Sequence, residues 1–188
     1  MPSEVTKYQE SACKFLIRIF GEDNVKKEWS VTKDSQDGYA RGLYAPRLDI
    51  AVGPFNINGR IEENNAAIIR TLDDNKDIIE RLIESAECSI PTFRELRSNR
   101  NKNPRCFLAI EIEKSGSRKH MLGNIANTSI IGALGIVVPF DDKALIAYKR
   151  ICDYINFAAE VGKTRGIFKN VLIIKNQAFI HCLEDNPS

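Results

Sequence analysis

The sequence predicts an α/β protein, a central mixed β-sheet flanked by helices, in one domain spanning 1–188. Three observations predict it. The runs 105–113, 134–139 and 171–174 are almost continuously apolar, the pattern of strands covered on both faces. Segments with apolar residues at helical spacing separate these runs, at 118–133 and 141–162. A further helix and two strand-like segments come before them.

Taken in order, 4–20 reads as helix, with Val5, Tyr8, Ala12, Phe15, Leu16 and Ile19 on one stripe and Gly21 as the stop. Residues 25–31 form a candidate strand, followed by a polar turn at Asp34-Ser35-Gln36-Asp37-Gly38. A second strand carries Asp49 and ends at Val52-Gly53-Pro54. Residues 62–87 read as helix on the apolar stripe Ile68, Ile69, Leu72, Ile78, Ile79, Leu82 and Ile83, with Asp73-Asp74-Asn75 as a potential break. Two prolines and a basic cluster make 89–104 a loop or short helix. Gly116 and Ser117 turn the chain from the 105–113 strand into the next helix, and Asp141-Asp142 caps the helix after that. The last strand, 171–174, has Ala178-Phe179-Ile180-His181 as a candidate return partner through Lys175-Asn176-Gln177.

Composition bounds the function classes. At 43% hydrophobic and 28% charged residues, the chain is an ordinary globular sequence long enough to bury a core. No run approaches the roughly 20 apolar residues of a membrane span, and Met1-Pro2-Ser3-Glu4 lacks the basic and apolar regions of a signal peptide, so a cytoplasmic protein is expected. Cys13, Cys88, Cys106, Cys152 and Cys182 are odd in number and show no CxxC spacing, which points to reduced thiols. There is no P-loop, no dinucleotide-binding glycine pattern and no Ser/His/Asp motif. Net charge is only +2, but it is unevenly spread. Residues 61–90 hold eight acids against three bases, and 91–120 hold eight bases against three acids. Arg94, Arg97, Arg100, Lys102 and Arg105 just precede the strand that leads to Glu111, so a basic loop beside an acidic site is expected, suited to a polyanion.

Two stretches carry the chemistry: Arg47-Leu48-Asp49-Ile50-Ala51-Val52 and Phe107-Leu108-Ala109-Ile110-Glu111-Ile112-Glu113-Lys114. Side chains alternate along a strand, so Glu111 and Glu113 share one face while Ile110, Ile112 and Lys114 take the other. Two carboxylates about 7 Å apart on a covered face repel each other and are poorly solvated. A divalent cation removes both costs, and oxygen ligands suit Mg²⁺ or Mn²⁺. Asp49 is the natural third ligand.

The pattern Asp…Glu-x-Glu-Lys resembles the PD-(D/E)xK nuclease superfamily, in the variant where a second Glu stands at the position of the usual lysine. Asp49 follows Pro46-Arg47-Leu48, echoing the Pro-Asp element with two residues interposed. The resemblance implies a restriction-endonuclease-like core over roughly 4–140, with the helix near 62–87 as an insertion. It also implies a Mg²⁺- or Mn²⁺-dependent hydrolysis of DNA, RNA not being excluded, in a homodimer if both strands of a duplex are cut. Asp49, Glu111 and the Ile112 carbonyl would hold the metal, and Glu113 would act as base or second ligand. Lys114 takes that part only if a bulge turns it inward. Glu10 in the first helix, with His120 and Asn124 one turn apart in a later one, are accessory candidates. Arg118 and Lys119, at a helix start able to hold a phosphate, join the basic residues as candidate contacts to nucleic acid. A nuclease-like fold with dead chemistry, binding nucleic acid or a protein, is the alternative that the missing lysine keeps open.

Overall fold

The computed structural model describes residues 2–30, 46–55, 60–88, 90–114, 116–164 and 167–184. The polar turn expected at 34–38 lies outside the described residues. Helix α1 (Glu4–Phe20) starts where the Ser3 hydroxyl accepts the Thr6 N–H, and Gly21 closes it by donating to the Ile17 carbonyl. A single 3₁₀ turn leads into β1 (Val25–Ser30), and β2 (Arg47–Val52) follows. The acidic helical region is broken in two, α2 (Ile61–Asp74) and α3 (Lys76–Glu84). At the break the Asn75 side-chain amide donates to the Thr71 carbonyl, competing with the helix ladder. A short α4 (Phe93–Asn99) opens on a capping box between Thr92 and Glu95. Then come β3 (Cys106–Glu113), α5 (Arg118–Ile131), β4 (Gly132–Pro139), α6 (Asp142–Glu160), β5 (Val171–Ile173) and α7 (Asn176–Glu184).

The five strands form one sheet in the order β1-β2-β3-β4-β5. β2 runs antiparallel to both of its neighbours, β1 and β3, and β4 and β5 run parallel to β3, each reached through a helix. This is a mixed α/β sheet with helices on both faces. Ile50, Val52, Leu108, Ile110, Leu134 and Ile136 pack with α1, α2, α3 and α7 into the larger core. On the other face Val137 and Ile173 pack with Met121 and Ile125 of α5 and Ala144 and Tyr148 of α6. Every residue of β3 and β4 is buried, matching their apolar runs. Helix α5 lies very close to β4: a Cβ on Gly135 would sit 2.8 Å from Thr128 Oγ1.

The C-terminal return strand does not form. Residues 178–181 belong to α7, which buries Phe179, Cys182 and Leu183 against the main core. Those positions follow i, i+3, i+4, and a four-residue apolar run is too short to distinguish the two periods. The Tyr8 hydroxyl donates to the Asn176 carbonyl (2.7 Å), tying the start of α7 to α1. All five cysteines are free, and Cys88 and Cys152, remote in sequence, have their sulfurs 3.3 Å apart.

Candidate active site

Residue pairing brings the acids together. Ile50 pairs with Ile110 in the antiparallel β2–β3 ladder, so one further step sets Asp49 across from Glu111. The two carboxyls hydrogen-bond to each other. Asp49 Oδ2 also accepts the Ile112 N–H at 2.7 Å. Glu111 is only 8% exposed, and burial together with the Asp49 charge pushes its pKa up to about 9. Burial also raises that of Asp49, with the Ile112 N–H opposing it. Glu111 therefore keeps its proton at neutral pH and donates it to Asp49.

Backbone alternation sets the neighbours. The Glu113 carbonyl accepts from the Phe140 N–H on the β4 side, whereas Ile112, one residue earlier, turns its backbone polar groups toward β2. The Glu113 side chain, 8% exposed, lies on the α5 and α6 face. Its Oε2 is 2.9 Å from His120 Nδ1 and accepts from Asn124 Nδ2 at 3.0 Å. Asn124 also reaches the Tyr148 hydroxyl (3.2 Å), whose pKa burial raises. His120 and Asn124 are thus joined to the acids through Glu113, with the His120 ring largely in solvent.

Lys114 points elsewhere. Its Nζ lies 3.0 Å from Glu4 Oε2 and over the Phe140 ring, on the α1 side, so no bulge turns it inward. Glu10 is a correction. It is exposed and pairs with Lys27 at 3.5 Å, because the buried stripe of α1 runs through Gln9, Ala12, Cys13 and Leu16. Gln9 is the residue that faces the site, its Nε2 donating to the Asp49 carbonyl (2.8 Å) and to Glu28 Oε1 (3.2 Å). Glu28 occupies the β1 position across from Asp49 but drops out of the ladder with a left-handed φ of 50°. Its charge adds to the raised pKa of both Asp49 and Glu111, and Arg47 Nε pairs with it at 2.9 Å. Strained non-glycine backbone of this kind is concentrated at functional sites. Neither Gln9 nor Glu28 stands out in the sequence, where both read as ordinary polar positions.

The basic loop is the second correction. Arg94 and Arg97 lie on α4, and Arg100, Lys102 and Arg105 lead into the start of β3, whereas Glu111 and Glu113 lie at its end. Six steps along the strand put about 20 Å between Arg105 and Glu111. Arg97 makes a bidentate pair with Asp73 (3.0 and 2.9 Å), and Arg100 donates to Asn65 Oδ1 (2.6 Å), so both cations serve the α2–α4 packing. Arg118 and Lys119, by contrast, stand exposed at the start of α5, on the acidic end of the sheet.

Among the described residues no group of three or more His, Cys, Asp or Glu side chains closes on one point to cage a metal. Asp49 and Glu111, with Glu28 on the neighbouring strand, are the acids that could hold a cation here. Mg²⁺ is usually held by one or two carboxylates, with water or substrate oxygens filling the rest of its shell. Glu111 is buried and Asp49 half-buried, and the two are bonded to each other. No family model, curated protein or solved structure matches the chain.

Proposed function

We propose that this chain is a metal-dependent endonuclease that hydrolyses DNA phosphodiester bonds, built on a restriction-endonuclease-like core. The mutually bonded pair of half-buried Asp49 and buried Glu111 carries the reading. The topology supports it: a helix, an antiparallel meander carrying the acids, a helical crossover to a parallel strand, and additions at the end, with α2–α4 as the insertion.

A bound Mg²⁺ or Mn²⁺ would supply Lewis acidity at the scissile phosphate and a more acidic water. Asp49 and Glu111 would hold the ion, with the Ile112 carbonyl as a further oxygen ligand. Gln9 fixes the Asp49 backbone and orients Glu28. Glu113, held by His120 and Asn124, takes the proton from the attacking water. Cutting both strands of a duplex calls for two copies. Tyr154 and Phe157, exposed on one face of α6, and Val161 at its C-cap offer an apolar surface for the second.

The alternative is a nuclease-like fold that binds nucleic acid or a protein without cutting. The position of Lys114, paired with Glu4 away from the acids, favours it. Circular single-stranded and plasmid DNA incubated with the purified protein in Mg²⁺ or Mn²⁺ tests the choice. Linearisation by wild type, lost in Asp49→Ala and Glu111→Ala, is the expected result. Undiminished cutting by both variants removes these residues from the chemistry, and no cutting by wild type despite DNA binding favours the inactive module.

A further inference from the structure

Beside the acids lies a cleft that the reading so far leaves unused. It has a volume of about 660 Å³ and opens between the starts of α5 and α6, at the C-terminal ends of the parallel strands β3 and β4. In α/β sheets this is the end at which ligands bind. Four cations line it: Lys114, Arg118, Lys143 and Arg150. Lys114 is held by Glu4, but Arg118, Lys143 and Arg150 make no ion pair among the described residues. The one acid of the lining, Asp141, is engaged as the cap of α6, accepting the Ala144 N–H at 2.8 Å. The floor is apolar, formed by Met121, Ala144 and Ala147.

The cleft and the acid site share a wall. Gly116 lines the cleft, and a Cβ there would lie 2.8 Å from Glu113 Oε2 and 3.2 Å from His120 Nδ1. An anion bound among the arginines therefore borders on the Glu113 network, with only a glycine between. Unpaired cations over an apolar floor suit a ligand with phosphates on one side and sugar or base surface on the other. Size narrows the class. A volume of roughly 300–1,000 Å³ encloses a small ligand. A duplex, whose major groove alone is about 12 Å wide, cannot enter. A short unpaired stretch of strand can.

We propose that this cleft binds the phosphodiester backbone of single-stranded DNA and leads it to the acids. The purpose of such a site rests on the nuclease reading, but its occupancy does not, so the test separates the two. Binding of a labelled oligothymidylate and of a blunt duplex of equal length is measured by fluorescence anisotropy in chelator, across a range of salt. Wild type is expected to bind the single strand at least tenfold more tightly than the duplex. The exposed triple variant Arg118→Ser, Lys143→Ser, Arg150→Ser, checked for an unchanged melting profile, should lose at least tenfold in single-strand affinity. Its salt slope should fall by about 2, since each lost phosphate contact on a single strand removes about 0.7. Equal affinity for duplex, or an unchanged slope in the triple variant, overturns the proposal. So does loss of slope only in Arg94→Ser with Lys102→Ser, which would put the contact at the far end of β3. Cleft-dependent binding by a protein that never cuts upholds the cleft and defeats the nuclease reading. Cutting that is indifferent to the triple variant does the reverse.

Discussion

Asp49 and Glu111 face each other from adjacent antiparallel strands and bond carboxyl to carboxyl, Glu111 buried and Asp49 half-buried. An acid pair in this state costs stability when both members ionise, and the Ile112 N–H bonded to Asp49 offsets only part of that cost.

The first consequence is a pH dependence whose sign follows from linkage. Glu111 titrates near 4.5 when unperturbed and near 9 in the fold, so within that window the folded chain holds a proton that the unfolded chain has lost. Stability therefore declines as pH rises from about 4.5 to 9, and Asp49, also raised, acts with the same sign. Glu111→Gln keeps the size without the charge. Its melting temperature relative to wild type should climb steadily between pH 5 and pH 9. A difference that stays constant across that range would mean the carboxyl titrates as it does in water.

Divalent cations should act on the same equilibrium. A ligand present at ten times its dissociation constant stabilises by about 1.4 kcal/mol, or roughly 3–5 °C for a domain of this size. Because Mg²⁺ must displace the Glu111 proton, the rise in melting temperature on adding it should be larger at pH 8.5 than at pH 6. It should vanish in the double variant Asp49→Asn, Glu111→Gln. The same rise at both pH values, or one that survives the double variant, would locate Mg²⁺ elsewhere.

Gly135 connects packing to the site. A methyl group there would meet Thr128 Oγ1, Cβ and backbone carbon at 2.8–3.0 Å, and the backbone contact can be relieved only by moving α5 off β4. Overpacking of this kind costs about 1–3 kcal/mol. Thr128 is bonded to the Asn124 carbonyl, and Asn124 holds Glu113, so Gly135→Ala should lower both the melting temperature and activity. Wild-type stability in that variant would show that α5 can shift freely.

Much of this was legible in the residues, for identifiable reasons. The helices and the three central strands follow their hydrophobic periods because each is buried in the way its period implies, and the break at Asn75 is a local side-chain effect. Glu111 and Glu113 were readable because so apolar a strand has no solvent face on which to leave an acid. Four features were not readable. Gln9, rather than Glu10, faces the site, a matter of about 100° around α1. Glu28 joins it through an irregularity in β1 that no propensity signals. The basic loop precedes the acids in sequence, but it stands a strand length away from them in space. The cleft cations come from two helices that meet only after the parallel crossovers are made.

Glu113 and Lys114 separate an active enzyme from a retired fold. Glu113 is buried and bonded to Asn124 and His120, whereas Lys114 is half-exposed and tied to Glu4. If Glu113 is the base, Glu113→Gln preserves the Asn124 contact while removing charge and basicity, and cleavage in Mg²⁺ should fall by about 10²-fold or more. Lys114→Ala removes a surface ion pair and one wall of the cleft, so its loss should be smaller and should appear in KM more than in kcat. Comparing the two variants with wild type in Mg²⁺ and Mn²⁺, on DNA and on RNA, reads the difference directly. A large kcat loss confined to Lys114→Ala would mean that the lysine leaves Glu4 and reaches the acids when substrate binds, and Glu113 would then be a structural partner of His120 and Asn124.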